Sequence, residues 1–485
     1  MPSIISRQQT PNERERARLH GEVMTPEWMV DDMLTALDAC DTSLGTSPIS
    51  NPDVPLLDMC GGTGNFALGI VERRARSAGK PADAIRNICM IELDEDNIDI
   101  ARQRCMLALR DAYGTLTAAD ETEARRILEK NFICGDALMV ADVMSPDKCR
   151  VIVSNPPYQK NIANSNTVRN RSKALPCYQQ FWDAAVGMNP TLMAFIIPAK
   201  WYTGGWGLDA FRAGMLADRH IAMLSDYRAS ESVFPTASVN GGVCWIVRDA
   251  EHATGMPLVM QYDANGLLAY HGRRPLTIGG CPVLLRDVNA FGIVNKALAY
   301  AGESGLGMVR DHMLGTTPFG LPAKVTSFPH TQEREHDDDV EVLCIRHGRV
   351  YVRPDIITRN ADALGKWKVV VQLCHNQYDA DPMSEAVVLP PMTTCTHSWV
   401  CTEGFDTMGE AVAMKSYMDT DAFRFLVSLM KISPIGTRKV YGLVPMLPLD
   451  REWDDDAVAD ALGLDAAERA YVGRRMRTAD DEQTA

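Results

Sequence analysis

Three short stretches carry residue types that can do chemistry together. Val151-Ile152-Val153-Ser154-Asn155-Pro156-Pro157-Tyr158 ends a β-branched run in an amide, two prolines and a phenol ring. Consecutive prolines cannot continue a strand ladder, so the chain must leave the sheet at Asn155 in a stiff turn. An amide, a rigid carbonyl and a ring then gather at a strand's carboxyl end, where open α/β sheets bind ligands. An ordinary strand exit with an asparagine turn residue remains open from this stretch alone. The second stretch, Leu56-Leu57-Asp58-Met59-Cys60-Gly61-Gly62-Thr63-Gly64-Asn65, sets a carboxylate ahead of a glycine-rich turn. Glycine lets backbone approach a ligand closely. With no Lys-Ser/Thr after the glycines and without dinucleotide spacing, the loop is neither a Walker loop nor a Rossmann fingerprint. Asp58 suits a ligand carrying an amino group better than a pyrophosphate. The third stretch, Asn87-Ile88-Cys89-Met90-Ile91-Glu92-Leu93-Asp94, ends in acid that can take both hydroxyls of a ribose.

The elements that must position these groups alternate in type. Thr25 and Pro26 are placed as N-cap and first residue of a helix whose buried stripe is Met29, Val30, Met33, Leu34 and Leu37. Thr10-Pro11-Asn12-Glu13 fits a capping box in a charged N-terminal arm, residues 1–20. Strands are expected at the start of the Leu56 to Asn65 stretch, at Asn87–Asp94, Phe132–Cys134, Val151–Val153, Leu192–Ile197, Ile221–Asp226 and Val243–Val247, with helical patterns between several of them. This order predicts a doubly wound, Rossmann-like α/β domain over 21–250.

The 485 residues suffice for two or three domains, and 46% hydrophobic content is that of an ordinary globular chain. No apolar run is long enough to span a bilayer, and the N-terminus lacks a leader pattern, so a cytoplasmic protein with no membrane partner is expected. The thirteen cysteines are scattered singly, without Cys-x-x-Cys, and read as reduced core residues. Cys374-His375 and Cys395/His397 come nearest to metal spacing, and no metal is expected. A net charge of −14 argues against indiscriminate nucleic-acid binding but leaves room for a local basic cleft.

Taken in order, Gly21 to Pro26, Asp58 to Phe66, Glu92, Gly135-Asp136, Asn155 to Tyr158 and Phe234-Pro235 resemble the motifs of gamma-class, TaqI-like DNA adenine-N6 methyltransferases of type II restriction–modification systems. The resemblance covers residues 20 to 250. Cys60-Gly61-Gly62-Thr63-Gly64 stands where the family often has Ala-x-Gly-x-Gly. The resemblance implies an S-adenosyl-L-methionine pocket, with Thr25, Pro26, Asp58, Gly61 and Gly62 at its methionine end, Glu92 on the ribose and Asp136 on the adenine. It also implies methylation of adenine N6 after base flipping. An exocyclic amino group conjugated into its ring is a poor nucleophile. The Asn155 amide oxygen and the Pro156 carbonyl can take its two hydrogens and free the lone pair. Tyr158 and Phe234 would flank the everted base. Gln159 to Lys173 reads as a loop that orders on substrate, with Arg169, Arg171 and Lys173 on phosphates.

Past residue 255 the alternation breaks down. Residues 255–404 read as an α+β target-recognition domain, and 405–485 as a helical region packing on it. Gly315 to Leu321 resembles a segment of target-recognition regions in related methylases. Arg346, His347, Arg349, Arg353, Arg359, Lys366 and Lys368 are the basic candidates for contact with double-stranded DNA, interleaved with Tyr351 and Trp367. The acidic run Asp337-Asp338-Asp339 reads as a solvated loop. With no nuclease signature, a separate restriction endonuclease is the expected companion, and a monomer from a bacterium or phage is the expected form. Rival readings are cytosine-N4 methylation, an RNA or protein-glutamine methyltransferase, and a DNA-binding subunit without catalysis.

Overall fold

The computed structural model describes residues 24–141, 149–160, 175–205, 207–234, 239–376, 381–431 and 433–477. The expected N-terminal arm, the loop residues Arg169, Arg171 and Lys173, and Pro235 lie outside the described residues. The chain divides into two compact units, Met1–Leu276 and Thr277–Ala485. Among the described residues no helix is long and apolar enough to cross a membrane.

The first unit opens with α1 (Glu27–Asp38), whose buried residues are the predicted stripe Met29, Val30, Met33, Leu34 and Leu37. Its start differs from the expectation. Pro26 is the N-cap, and the helix has no side-chain cap. Thr25 lies one residue before the cap, and its hydroxyl accepts a hydrogen bond from a distant side chain, as described below.

Then follow β1 (Leu56–Asp58), α2 (Asn65–Ala75), α3 (Pro81–Ile85), β2 (Ile88–Glu92), α4 (Glu95–Tyr113), α5 (Ala118–Asn131), β3 (Phe132–Cys134), α6 (Ala137–Ala141) and β4 (Val151–Ser154). A two-stranded ladder, β5 (Gln159–Lys160) with β6 (Leu175–Pro176), leads to α7 (Tyr178–Gly187), β7 (Leu192–Pro198), α8 (Asp209–Ala217), β8 (Ile221–Tyr227) and β9 (Val243–Asp249). The strands β10 (Leu258–Tyr262) and β11 (Leu268–Arg273) complete the unit.

Nine of these strands form one sheet in the order β11-β10-β8-β9-β7-β4-β1-β2-β3. From β7 to β3 all neighbours run parallel, and every residue of β4 and β7 is buried, as continuous apolar runs in a doubly covered sheet require. The chain steps from β1 to β2 and β3 on one side and returns to β4 on the other. The topological switch point, where such sheets bind ligands, therefore falls between β1 and β4.

The unit does not end near residue 250 as the sequence pattern suggested. β10 pairs in parallel with β8, and β11 pairs antiparallel with β10, so both belong to the same sheet. The edge strand β11 is largely exposed and lacks the buried run of the inner strands.

In the second unit α9 (Ala290–Ser304) precedes β12 (Val340–Cys344), β13 (Gly348–Val352), β14 (Lys368–Gln372), β15 (Val387–Leu389), β16 (Thr393–Cys395) and β17 (Trp399–Cys401). These form two three-stranded sheets, β13-β12-β16 and β15-β14-β17. The helices α10 (Met408–Asp419), α11 (Asp421–Met430), α12 (Asp455–Ala461) and α13 (Ala466–Met476) follow. The proposed division at 404/405 has no counterpart in packing. Val369 and Val371 of β14 join the apolar cluster of the helices, while Val370 between them joins that of the sheets. The period-two alternation of one strand thus serves two cores and holds both regions in one unit.

Candidate functional site

The switch point gathers the predicted residues in pairs. Asp58 ends β1, and its register partner on β4 is Val153, so Asn155 lies two residues further along the neighbouring strand. The Met59 N–H donates to the Val153 carbonyl at 2.9 Å and carries the pairing past the end of β1. Glu92 ends β2 on the opposite side of β1.

Asp58 is fully buried, and among the described residues neither carboxylate oxygen has a hydrogen-bond partner. Burial, followed by repulsion from Glu92, pushes its pKa up to about 8. The N–H groups of Ala67 and Cys60 offset part of this without reaching hydrogen-bond geometry. A buried acid of this kind is a costly feature unless a cationic or donating group meets it.

The glycine loop is shaped by backbone constraints. Gly61 donates to the Ile91 carbonyl at 3.0 Å, and a Cβ there would lie 2.3 Å from Met90 Cγ. Gly64, at φ +82°, is the N-cap of α2; a Cβ on it would stand 2.7 Å from Ala101 Cβ of α4. Only glycine accepts both that conformation and that approach.

Glu92 braces the loop. Its Oε2 accepts from the Gly62 N–H at 2.8 Å, and its Oε1 from the Asp94 N–H at 3.0 Å. Each oxygen keeps a further lone pair for a hydroxyl donor. Asp136 is exposed at the end of β3 and accepts the Leu138 N–H at 3.0 Å, starting α6.

At the end of β4, Asn155 Nδ2 donates to Thr25 Oγ1 at 3.0 Å, across 130 residues of sequence. The amide's nitrogen end is thus turned to α1's leading residues. Pro156 is buried, and the Pro157 carbonyl accepts the Cys177 thiol at 3.0 Å. Tyr158 is buried, and burial holds its hydroxyl above the ordinary phenol range. Phe234 donates its N–H to the Ser230 carbonyl at 2.7 Å and belongs to the same apolar cluster as Tyr158. It follows β8, which is parallel to β7 through their shared antiparallel neighbour β9, so the Phe234 segment leaves the sheet at the edge that carries Asn155.

Two contributors carried no signal of their own in the sequence. Asn65 Nδ2 donates to the Thr25 carbonyl at 2.7 Å, and Arg104 Nη1 donates to Asn65 Oδ1 at 2.5 Å and to the Thr63 carbonyl at 2.8 Å. The position of Asn65 directly after Gly64 was the one available hint. Arg104 reads as a surface charge on α4.

The basic candidates of the second unit sort differently. Lys368 is completely buried, and its Nζ donates to the carbonyls of Ala363, Leu364 and Lys366 at 2.9, 3.4 and 2.5 Å. It is therefore withdrawn from the DNA-binding set: burial lowers its pKa to about 8, and its charge cannot reach a groove. Asp338 and Asp339 are not a free acidic loop, because Arg353 bridges both, at 2.6 and 2.9 Å. Arg349 pairs with Glu341, and Lys366 with Asp406 at 3.3 Å. Arg359 is exposed and donates weakly to the Thr316 carbonyl at 3.4 Å. Arg346 and His347 are exposed in the turn joining β12 and β13. Gly315 to Leu321 includes Phe319 and Leu321, both buried in the sheet cluster, so the C-terminal part of this segment is structural.

Comparison with known proteins adds sequence and fold relations. Residues 86–234, which include Glu92, Asp136, Asn155 to Tyr158 and Phe234, match the Eco57I restriction-modification methylase family. An uncharacterized adenine-specific methylase of Mycoplasma pneumoniae is 31% identical over 101 residues, covering 21% of this chain and 23% of that protein. The matched region is thus under a quarter of the relative's length. Among solved structures, the DrdV–DNA complex aligns with a TM-score of 0.50 at 14% identity, over 96% of this chain and 58% of that one. The type IIL enzyme MmeI in complex with DNA aligns with a TM-score of 0.46 at 10% identity, over 96% and 78%. The DrdV likeness is one of fold.

Proposed function

We propose, for a chain whose residues 86–234 match the Eco57I restriction-modification methylase family, that it transfers a methyl group from S-adenosyl-L-methionine to adenine N6 in duplex DNA. The carrying observation is the placement of Asn155-Pro156-Pro157-Tyr158 at the tip of β4, one strand from the buried carboxylate of Asp58, which has no hydrogen-bond partner among the described residues.

The residues present fit the donor. Asp58 would take its ammonium group, exchanging a costly buried acid for an ion pair. The backbone of Gly61 and Gly62 leaves room for close approach, Glu92 has acceptor capacity for ribose hydroxyls, and Asp136 stands one strand further for the adenine. When bound, the donor supplies an electrophilic methyl on a sulfonium centre. Asn155 Oδ1 and the Pro156 carbonyl accept the two amino hydrogens of the target base, which turns its nitrogen lone pair out of the ring. Tyr158 and Phe234 hold the ring of the everted base. As the carbon–nitrogen bond forms and the carbon–sulfur bond breaks, the surplus amino proton leaves to solvent. No residue need form a covalent bond to substrate, so placement and electrostatics carry the rate.

DNA is the preferred substrate over RNA or protein because a second unit of some 200 residues follows the matched region. Arg346, His347, Arg349, Arg353, Arg359 and Lys366 are its exposed basic candidates, with Arg349, Arg353 and Lys366 already ion-paired, and a cognate endonuclease is the expected companion. Incubation with tritiated S-adenosylmethionine and unmethylated duplex DNA, RNA or protein, followed by digestion, tests this. The expected product is N6-methyladenine, and label in cytosine, RNA or glutamine would replace the reading by that rival. Asn155→Ala should abolish transfer while donor binding by calorimetry persists.

A further inference from the structure

We infer that Arg104 is a positioning residue for the Asn155 amide, acting through Asn65 and Thr25. The inference rests on the methyl-transfer reading above.

The connection is a chain of four hydrogen-bonded groups. Arg104 Nη1 holds Asn65 Oδ1 at 2.5 Å, Asn65 Nδ2 holds the Thr25 carbonyl at 2.7 Å, and Thr25 Oγ1 receives Asn155 Nδ2 at 3.0 Å. The middle of this chain has a single chemical solution. A guanidinium only donates and a carbonyl only accepts, so the Asn65 amide has one orientation that satisfies both neighbours. Arg104 also donates to the Thr63 carbonyl at 2.8 Å, which pins the glycine loop to the same group.

Close packing of α4 makes the reach possible. Ala101 sits one turn before Arg104 on α4, and it is Ala101 that a Cβ on Gly64 would strike at 2.7 Å. The glycine therefore admits α4 to the loop, and Arg104 spans the remaining gap. α1's leading residues, the glycine loop and the tip of β4 come from three separate parts of the chain. The sheet registers β1 against β4, but no strand pairing registers Thr25 against Asn155. The Arg104–Asn65 link supplies that registration. Thr25 is buried, so its carbonyl and hydroxyl are held together, and a displacement at the carbonyl is passed to the amide that faces substrate.

The test separates positioning from simple stabilisation. Asn65→Asp keeps an acceptor for Arg104, now as an ion pair, but sets an oxygen against the Thr25 carbonyl. Arg104→Met removes the donors and keeps the aliphatic stem, whereas Arg104→Lys restores one donor. With donor and DNA saturating, kcat should fall on the order of 10- to 100-fold in Asn65→Asp and Arg104→Met, the range expected for a misplaced reacting group. Arg104→Lys should recover part of it, and the loss in Asn65→Asp should persist when kcat is measured well below that variant's melting transition. Wild-type kcat in Asn65→Asp would overturn the inference, as would a loss that tracks the melting temperature across all three variants. If the unaltered protein transfers no methyl group to DNA, RNA or protein, the functional reading fails first and the positioning role falls with it.

Discussion

Asp58→Asn should make the ligand-free protein more stable and its donor binding weaker. The carboxyl group is buried with no partner among the described residues, and its pKa stands at about 8 in place of an ordinary 3.8. A raised carboxyl pKa means that the folded state holds the proton while the unfolded state has released it. Stability from this group is therefore present below about pH 4 and is lost as pH rises toward 8. The slope is roughly 1.4 kcal/mol per pH unit between the two values, which amounts to about 4 kcal/mol by pH 7. Asparagine has the same shape and no charge to bury, so the variant should escape this loss. Thermal denaturation of both ligand-free proteins between pH 5 and 8.5 reads the difference. The variant's melting temperature should already be the higher at pH 5, and the gap should widen steadily to pH 8. Calorimetry at pH 7 should then show the variant binding S-adenosylmethionine at least tenfold more weakly, because the ammonium has lost its counter-charge. A constant offset between the two melting curves across the pH range would refute the reasoning, because a shape or packing effect does not titrate.

The contrast between two lysine or arginine positions checks the second unit. Arg346→Ala should lower the slope of log K against log salt by about 0.9 in a DNA-binding titration, the loss of one phosphate contact. Lys368→Met should leave that slope unchanged and cost on the order of 1–3 kcal/mol in urea denaturation, because three carbonyls lose their donor. Gly64→Ala should destabilise the first unit by more than about 1 kcal/mol, since alanine is strained at φ +82° and its methyl would meet Ala101. An unaltered urea midpoint would contradict this.

Much of the fold was legible because its signals are local. The inner strands are short, largely apolar runs bounded by turn residues, so β1, β2, β3, β4, β7, β8 and β9 all overlap segments where the sequence pattern predicts strands. β10 and β11 were missed as members of this sheet because neither is a continuous buried run: β10 alternates buried and half-buried residues, and the edge strand β11 is largely exposed. The helix start at Thr25 was misread for a related reason. Threonine before proline is a good local cap, but the competing partner, Asn155, is 130 residues away. Lys368 shows the same limit from the side of charge. Its neighbours in sequence look like a basic strand, and its burial depends on the turn at Ala363–Lys366 folding back over its ammonium.

The sequence by itself determined the residue types at each strand end: an acid at the end of β1, another at the end of β2, an amide with two prolines after β4. Those choices follow from short-range chemistry, in which glycine, proline and β-branched residues leave few backbone options. Tertiary structure decided which groups meet. It set Asp58 in a dry position that shifts its proton affinity, joined Arg104 to Asn155 through two intermediaries, and paired or buried several charges that looked free. Such outcomes depend on solvent exclusion and on contacts between distant segments, and neither is encoded in any one stretch of the chain.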